Sequence, residues 1–267
     1  MPPGGDGARV PLLFLWRRHA HSLGDSLTCP RSLKLLDNQI IACRTCPRLV
    51  AWREKIGQEK RRAYLGQTYW AKPLPGFGDP LARVLVVGLA PGAHGGNRTG
   101  RMFTGDASGD FLFSALHRAG FANQPEAKAL NDGLMLNDVY ITAVCRCVPP
   151  DNKPLPAEIS NCLPYLQYEF ELLEKVEGVV VLGRIAFDTV SKLLYHQRKL
   201  ATSAIFGHGV LQPSTDGAPW LLCSYHPSRH NTQTGRLTTT MFDQIWEQVN
   251  RLLGKDELLS CQEPGSS

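Results

Sequence analysis

Short apolar runs alternate along this chain with longer amphipathic segments. The short apolar runs, the first three of them rich in β-branched residues, predict strands at 84–87, at 134–145, at 178–182, around Ile205 and at 220–224. The longer segments have helical periodicity and lie at 32–42, 110–119, 157–176, 184–196 and 239–253. This alternation predicts an α/β protein, in which helices cover both faces of a central sheet. Because such sheets bind ligands beyond the carboxyl ends of their strands, we expect the site in the loops after Val87 and Ser224.

Composition and the two ends of the chain narrow the class of protein. The 267 residues are enough for one large domain or two small ones. The net charge of +5 is compatible with a nucleic-acid partner but does not require one. The longest apolar run near the N-terminus, Val10 to Trp16, is far shorter than the roughly 18 residues of a membrane span. Its basic residues follow the run, which is the wrong order for a signal peptide.

These observations predict a cytoplasmic protein with no membrane partner, and no pattern indicates an oligomer, so we expect a monomer. The Pro/Gly-rich start predicts a flexible N-terminal extension over 1–30 and the polar end a flexible tail over 255–267. The residues between them, 31–254, are predicted to form a single domain.

Eight cysteines in a chain with no secretion signal argue against a disulfide scaffold. Cys43 and Cys46 form a C-x-x-C pair, and Cys147 and Cys162 flank a proline-rich segment. Four thiolates from two remote pairs suit an iron–sulfur cluster or zinc. A redox disulfide between Cys43 and Cys46 is the alternative, although no thioredoxin-like strand precedes them. The remaining cysteines are interpreted as structural or free: Cys29, Cys145, Cys223 and Cys261.

A glycine-rich loop follows the first buried strand. Residues 88–109 read GLAPGAHGGNRTGRMFTGDASG, which contains neither the dinucleotide fingerprint nor the P-loop motif. Binding of a dinucleotide or a nucleoside triphosphate therefore has little support. The loop offers the aromatic ring of Phe103, the carboxylate of Asp106, and hydroxyl groups that include Thr104 and Ser108. These groups suit a flat polar ligand such as a base.

A second polar loop follows the last predicted strand, and a basic segment lies near the N-terminus. Residues 224–236 read SYHPSRHNTQTGR and place His226 directly before a proline, with Arg229 and Arg236 behind it. Two such loops at one sheet edge indicate a cleft for an anionic ligand with a base attached. Residues 44–62 carry seven basic side chains against two acidic ones. That segment is either a solvated face or a DNA-facing surface.

Four motifs occur in order: PGFGDP, GLAPGAHGGNRTGRMFTGDASGDFL, CVPPDNKPLP and SYHPSRHNTQTGRLT. Together they resemble the signatures of the iron–sulfur-containing family 5, or type b, of the uracil-DNA glycosylase superfamily, over Cys43 to about Leu253. The resemblance implies a three-layer α/β/α fold with a central, mainly parallel four-stranded sheet. It also implies an enzyme that flips uracil out of DNA and hydrolyses the N-glycosidic bond, leaving an abasic site.

The resemblance also implies roles for particular residues. His226 donates to a carbonyl oxygen of the departing base, and Phe103 stacks on the flipped base. Contacts to DNA are expected from Thr104, Ser108, Ser228, Arg229 and Arg236. The ligands of a structural [4Fe–4S] cluster are expected to be Cys43, Cys46, Cys147 and Cys162.

Departures from other families concern the attacking water. Where those families carry a polar residue that positions the water, this chain has Leu89 and Ala90. We expect Asn97 to hold the water, with Asp106 as the second candidate. Because a carboxylate is missing at Ala90, a DNA-damage sensor that binds without turnover is the alternative function.

Two further positions concern the choice of base. Gly92 stands where uracil-specific relatives have tyrosine, so Ala90 and Gly92 are expected to line a roomier pocket. We therefore expect activity on uracil and also on hypoxanthine or other deaminated bases. Ala143 stands where some relatives place a base-reading asparagine, and Asn137 is the predicted substitute. Its alternative role is to cap a turn before the strand.

Overall fold

The computed structural model describes residues 30–196, 205–213 and 218–255. The predicted N-terminal extension and C-terminal tail lie almost entirely outside the described residues, as do Cys29 and Cys261. Within the described ranges, no helix has the length and apolar character needed to span a membrane.

The centre of the fold is a sheet of six strands. They are β1 (Phe77–Gly78), β2 (Val84–Gly88), β3 (Val139–Ala143), β4 (Gly178–Leu182), β5 (Leu211–Gln212) and β6 (Trp220–Ser224). The spatial order is β1-β3-β2-β4-β6-β5. The four inner strands are parallel, and the two-residue strands β1 and β5 add antiparallel edges. The predicted parallel four-stranded sheet is thus confirmed, with two short edge strands that the sequence pattern did not reveal.

Helices cover both faces of this sheet. They are α1 (Leu33–Ala42), α2 (Pro47–Glu59), α3 (Gly96–Thr99), α4 (Ala107–Arg118), α5 (Pro156–Leu172), α6 (Arg184–His196), α7 (Arg229–Gln233) and α8 (Thr239–Leu252). Every residue of the four inner strands is buried, which explains why these strands are continuously apolar rather than alternating.

Alternate residues of each inner strand pack on opposite layers. Val84 and Val86 of β2 join a core that contains residues of α4 and α8, including Trp246. Leu85 and Val87 join a second core, built with residues of α5 and α6. Helix α1 packs against α5, and the two helices form a small third cluster of buried apolar residues. The result is the predicted three-layer α/β/α arrangement.

Two predicted strands differ from the structure. The pattern at 134–145 yields only Val139–Ala143, because residues 134–137 run beside Ala122 as a connection and several of their side chains are exposed. The apolar run around Ile205 forms no strand in the described part of the chain. Ile205 is 71% exposed, and the edge strand β5 begins further on at Leu211.

Candidate active site

Three neighbouring parallel strands end at one edge of the sheet. β2 ends at Gly88, β4 is followed by Gly183, and β6 ends at Ser224, two residues before His226. The His226 main-chain carbonyl accepts hydrogen bonds from Ser228 N (2.7 Å) and Asn231 Nδ2 (2.9 Å). These bonds fix the backbone of the loop from which the imidazole projects.

The imidazole of His226 lies beside the ring of Phe103. The two ring centroids are 6.1 Å apart and the planes differ by 31°. Phe103 adopts a left-handed conformation (φ 52°), which is uncommon outside glycine and places its ring over the end of β2. A Cβ at Gly88 would lie only 2.7 Å from Phe103 Cζ, so this approach requires glycine there. The structure therefore brings together the predicted stacking ring and the predicted donor.

Burial determines the charge of His226. Removal of the imidazole from water lowers the pKa of His226 to about 4, because the charged form loses hydration. The ring is therefore neutral at pH 7 and has one N–H donor and one acceptor nitrogen. A neutral imidazole keeps one N–H that can donate to a carbonyl oxygen.

Asp106 is the N-cap of α4. Its Oδ1 accepts hydrogen bonds from Ser108 N (3.1 Å) and Gly109 N (3.0 Å). Its Oδ2 lies against the glycine-rich loop, 2.9 Å from the position of a Cβ at Gly92 and 1.8 Å from one at Gly95. Burial raises the pKa of Asp106 above its usual range, an effect that the two backbone donors oppose. The carboxylate therefore occupies space that side chains at these glycines would need.

Asn97 is completely buried on α3. Its Nδ2 donates to the main-chain carbonyl of Arg53 on α2 at 3.2 Å. Its Oδ1 has no hydrogen-bond partner among the described residues. One bond thus fixes the orientation of the amide, and a buried acceptor is left over. Ala90, a partly exposed residue two positions after β2, contributes only a methyl group to the same loop.

Hydroxyls and arginines lie at the surface around this edge. Ser108 in the first turn of α4 and Ser228, the N-cap of α7, are both partly exposed. Arg229 and Arg236 are exposed on the loop after β6. The Arg236 guanidinium carbon lies 5.0 Å from the centroid of the ring of Tyr225, the residue directly before His226.

Two of the predicted residues do not lie at this surface. Thr104 is fully buried, and its hydroxyl accepts from Arg101 Nε (2.9 Å) and donates to Met102 O (3.1 Å). It therefore has no exposed group for a phosphate. Asn137 precedes β3, at the amino end of a parallel strand, whereas His226 follows the carboxyl end of β6 in the same sheet. These positions lie beyond opposite ends of the parallel strands, so Asn137 does not lie beside His226.

The four predicted ligand cysteines line one narrow cavity, called here the cysteine cavity. It is bordered by Cys43, Thr45, Cys46, Leu49, Val50, Arg53, Pro73, Arg146, Cys147, Cys162 and Tyr165. Cys46 is the N-cap of α2, and Cys162 lies within α5. In the described part of the chain, no three Cys, His, Asp or Glu side chains are already gathered as a metal site.

Cationic and polar groups surround these thiols. Arg53 Nη1 donates to Cys147 Sγ at 2.9 Å, and Asn161 Nδ2 donates to Cys46 Sγ at 3.5 Å. Burial raises the pKa of Cys147 to about 12, and the Arg53 guanidinium opposes that rise. Four thiols with guanidinium groups and N–H donors fit a soft metal centre that binds thiolates and carries negative charge.

The structure divides the basic segment 44–62. Arg44 pairs with Glu54 (2.6 Å), Arg48 makes a two-pronged ion pair with Glu158, and Arg53 is buried. Arg61 and Arg62 remain exposed, with no ion pair among the described residues.

A hydroxyl connects this exposed turn to the glycine-rich loop. The Tyr69 hydroxyl accepts from Arg61 N (3.3 Å) and bonds to His94 Nδ1 (3.0 Å). The unpaired part of the basic segment is therefore fixed beside the candidate site, whereas the arginines nearer the cysteines are engaged by Glu54, Glu158 and Cys147.

Two residues at the site carry no signal in the sequence. Arg53 looks like one of several surface cations, yet it is 2% exposed and contacts the cysteine cavity. The Nε2 of His208 bonds to Met241 O (3.1 Å), so its Nδ1 is the acceptor for Tyr225 N–H (3.2 Å). His208 thereby holds the residue that precedes His226. Only the three-dimensional structure shows these contacts, because their partners are remote in sequence.

Comparison with known proteins gives consistent matches. Residues 75–250 match the family model described as uracil DNA glycosylase superfamily. The chain is 52% identical over 215 residues to the type-5 uracil-DNA glycosylase of Thermus thermophilus, which covers 80% of this chain and 95% of that protein. It is 47% identical over 220 residues to the type-5 uracil-DNA glycosylase of Mycobacterium tuberculosis, covering 82% and 81%. For the type-5 uracil-DNA glycosylase of Pyrobaculum aerophilum, the identity is 43% over 208 residues, covering 78% and 88%.

Proposed function

The chain belongs to the uracil-DNA glycosylase superfamily, and from this premise we propose that it is a DNA repair enzyme that flips uracil out of DNA and hydrolyses its N-glycosidic bond. The observation that carries the proposal is the neutral imidazole of His226 beside the ring of Phe103, at the carboxyl edge of the sheet. Enzymes that act on a base within a duplex must extrude it into a pocket that stacks and hydrogen-bonds it.

His226 and Phe103 act on the departing base. As the bond to the sugar breaks, positive charge develops on the sugar and negative charge on the base. An N–H of neutral His226 donates to a carbonyl oxygen of the base and stabilises that negative charge. Phe103 provides the apolar face on which the flipped base stacks. The imidazole is already neutral at pH 7, so the donor is preorganised.

Asn97 is the first candidate to hold the attacking water. Its Oδ1 is an unpaired buried acceptor, and its Nδ2 is already bonded to Arg53 O. An acceptor fixed in this way can hold and orient a water for attack, whereas an amide oxygen does not itself take up a proton. Asp106 is the second candidate, because its carboxylate faces the same loop, although Oδ1 also caps α4.

The exposed hydroxyls and cations hold the DNA backbone. Ser108 and Ser228 offer hydroxyls, and Arg229 and Arg236 offer charge, at the surface around the base pocket. Such phosphate contacts fix the register of the enzyme on the duplex. The loop from His226 to Arg236 enters the minor groove and fills the space left by the flipped base.

Cys43, Cys46, Cys147 and Cys162 hold a [4Fe–4S] cluster. The support is that all four thiols border one cavity with Arg53 and Arg146, whose charges offset that of four thiolates. Bound there, the cluster supplies iron–thiolate bonds that cross-link the start of α2, the loop after β3 and α5.

The pocket also admits bases other than uracil. Gly92 has no side chain, and the Asp106 carboxylate lies 2.9 Å from the position of a Cβ there, so this wall presents a small polar group where uracil-specific relatives have tyrosine. We expect cleavage of hypoxanthine and other deaminated bases in DNA as well as uracil. A duplex assay that shows cleavage of uracil alone would refute this broad range.

The deciding experiment is one incubation of the protein with a labelled duplex that contains a single uracil, followed by alkali. Strand cleavage at the uracil position is expected, because alkali breaks the backbone at an abasic site. A gel shift without cleavage would instead indicate a damage sensor.

The Asn97→Ala variant tests the placement of the water in the same assay. We expect turnover to fall by about 100-fold, which is the usual cost of misplacing a reacting group by about 1 Å. Binding to a duplex with an abasic-site analogue is expected to change by less than about 3-fold, since Asn97 is buried. Equal losses of turnover and affinity would contradict this role.

A further inference from the structure

Arg53 is the only described residue whose bonds reach both the cysteine cavity and Asn97. Its Nη1 donates to Cys147 Sγ (2.9 Å) and its Nη2 to Cys43 O (3.2 Å). Its own main-chain carbonyl accepts from Asn97 Nδ2 (3.2 Å). Arg53 thus bonds to the segments of two predicted cluster ligands with its guanidinium and to the candidate water-holding residue with its backbone.

The surroundings of Arg53 make this connection rigid. Arg53 is 2% exposed, and Asn97 is completely buried, so neither side chain can exchange its partner for solvent. Arg53 lies on α2, which begins directly after Cys46, its N-cap. A buried guanidinium that loses its partner is costly, so the position of Arg53 depends on the position of the Cys147 thiol.

The amide of Asn97 depends on this carbonyl in turn. Nδ2 has no other hydrogen bond in the described structure, and Oδ1 has none at all. The bond to Arg53 O is therefore what sets which way Oδ1 points. An error of about 1 Å in a catalytic group is enough to lose roughly 100-fold in rate.

We propose that Arg53 is a positioning residue, which transmits the placement of the cluster-binding cysteines to Asn97 and so aims the acceptor that holds the attacking water. The inference rests on the proposed function, because it assigns a route by which the metal centre supports hydrolysis. The cysteines that would hold the cluster then have a second effect beside the cross-link, because their placement orients Asn97 through Arg53.

A double-mutant cycle tests this route. Arg53→Met, Asn97→Ala and the double variant are assayed for single-turnover uracil release. Arg53→Met alone is expected to slow release at least 10-fold. In the Asn97→Ala background the same change is expected to slow it less than 2-fold, because its effect passes through Asn97. A merely structural role would give similar losses in both backgrounds and would overturn the proposal.

Arg48→Met is the matched control. Arg48 lies on the same helix and pairs with Glu158, and among the described residues its guanidinium has no hydrogen bond to a cysteine or to Asn97. Its effect on uracil release is expected to be the same whether residue 97 is Asn or Ala. A coupling with Asn97 as strong as that of Arg53 would show that any damage to α2 acts through Asn97, and this would also overturn the specific role of Arg53.

Iron content and affinity for abasic-site DNA are measured for every variant. Should Arg53→Met fail to fold, Arg53→Lys keeps the charge near Cys147, and an intermediate loss of rate that disappears in the Asn97→Ala background is expected. A loss of rate that persists there contradicts the proposal. If Asn97→Ala alone retains full turnover, the proposed placement of the water fails, and that result is distinct from additivity in the cycle.

Discussion

The absence of a side chain at Gly92 has a structural consequence as well as the role in substrate choice that we propose for it. Asp106 caps α4 with one carboxylate oxygen, and the other lies 2.9 Å from the position of a Cβ at Gly92. A side chain there would push the carboxylate and disturb the cap. The glycine therefore has a structural reason beside the roomier pocket that its position predicts.

Gly92→Tyr is expected to abolish cleavage of hypoxanthine and to lower the free energy of unfolding by about 1 kcal/mol, the usual effect of a lost N-cap. Thermal unfolding and parallel assays on uracil and hypoxanthine duplexes measure the two effects. Asp106→Asn, which keeps a capping side chain and an open pocket, serves as the comparison. A Gly92→Tyr enzyme with unchanged stability and an unchanged range of bases would show that the carboxylate and the pocket do not share this space.

Burial of the His226 imidazole makes the stability of the protein depend on pH. Burial lowers the pKa of His226 to about 4, against a usual value near 6.5. Between these values the unfolded chain binds a proton that the folded chain does not. The stability that depends on a neutral His226 is therefore fully present above pH 6.5 and is lost as the pH drops towards 4.

The share of this loss that belongs to His226 is about 2 kcal/mol between pH 7 and pH 5. Urea unfolding of the wild type and of His226→Gln at both pH values isolates it, because the variant lacks the titrating ring. The variant is expected to lose less stability on acidification than the wild type. Parallel losses in the two proteins would contradict a buried neutral imidazole.

Sequence patterns locate the residues that we propose act on the base, but not the residues that hold them in place. His226 and Phe103 stand at fixed places in long loop motifs, so their positions can be predicted. Arg53 and His208 act through partners far away in the chain, and such interactions leave no local pattern. The prediction for Asn137 is wrong because a strand pattern does not show where within it the strand begins.

The basic segment 44–62 contains helix α2, and the contacts of its side chains decide which of its cations are paired. Of the seven cations in segment 44–62, Arg44, Arg48 and Lys55 form ion pairs with Glu54, Glu158 and Glu59, and Arg53 donates to Cys147. The turn after α2 keeps Arg61 and Arg62 exposed, and Tyr69 fixes that turn to the glycine-rich loop. The two alternatives for this segment thus divide along its length, and we propose that the unpaired cations at its end contact DNA.

Replacing both Arg61 and Arg62 with Gln is expected to weaken DNA binding and to reduce the slope of log affinity against log salt by roughly 2, about one unit for each phosphate that an arginine no longer neutralises. Affinity for an abasic-site duplex is measured over a series of salt concentrations. Arg44→Gln is the matched control, since Arg44 is paired with Glu54 at the other end of the segment. A salt slope that is equal in all three proteins would place the DNA elsewhere.

Element boundaries explain what else can be predicted. The predicted strand at 178–182 and the predicted helix at 184–196 have the bounds that the structure shows, because the apolar run of the strand coincides with complete burial and a glycine separates the two elements. The edge strands β1 and β5 are two residues long, which is too short for any periodicity to appear. Their pairing is set by the neighbouring strands rather than by their own residues.

Main-chain hydrogen bonds connect the loop beside the cysteine cavity to the loop that we propose binds the base. The segment between β3 and Cys147 pairs with the end of β2: Val144 N donates to Gly88 O (3.0 Å) and Cys145 N to Leu89 O (2.9 Å). The loop that carries Cys147 is therefore attached to the loop that carries the site. Arg53 provides a second connection between them.

Removal of one cluster ligand should therefore affect the whole fold. Cys147→Ala is expected to lose the visible absorbance of the cluster and to lower the free energy of unfolding by roughly 2–5 kcal/mol, as removal of a native cross-link does. Cys223→Ala is the matched control, because Cys223 is also buried, in β6, but borders no part of the cysteine cavity. It should keep the absorbance and iron content, because only packing changes. A colourless wild-type protein that is fully active after anaerobic purification would contradict the cluster itself. A colourless Cys147→Ala protein of unchanged stability would instead show that the cluster does not hold the fold together.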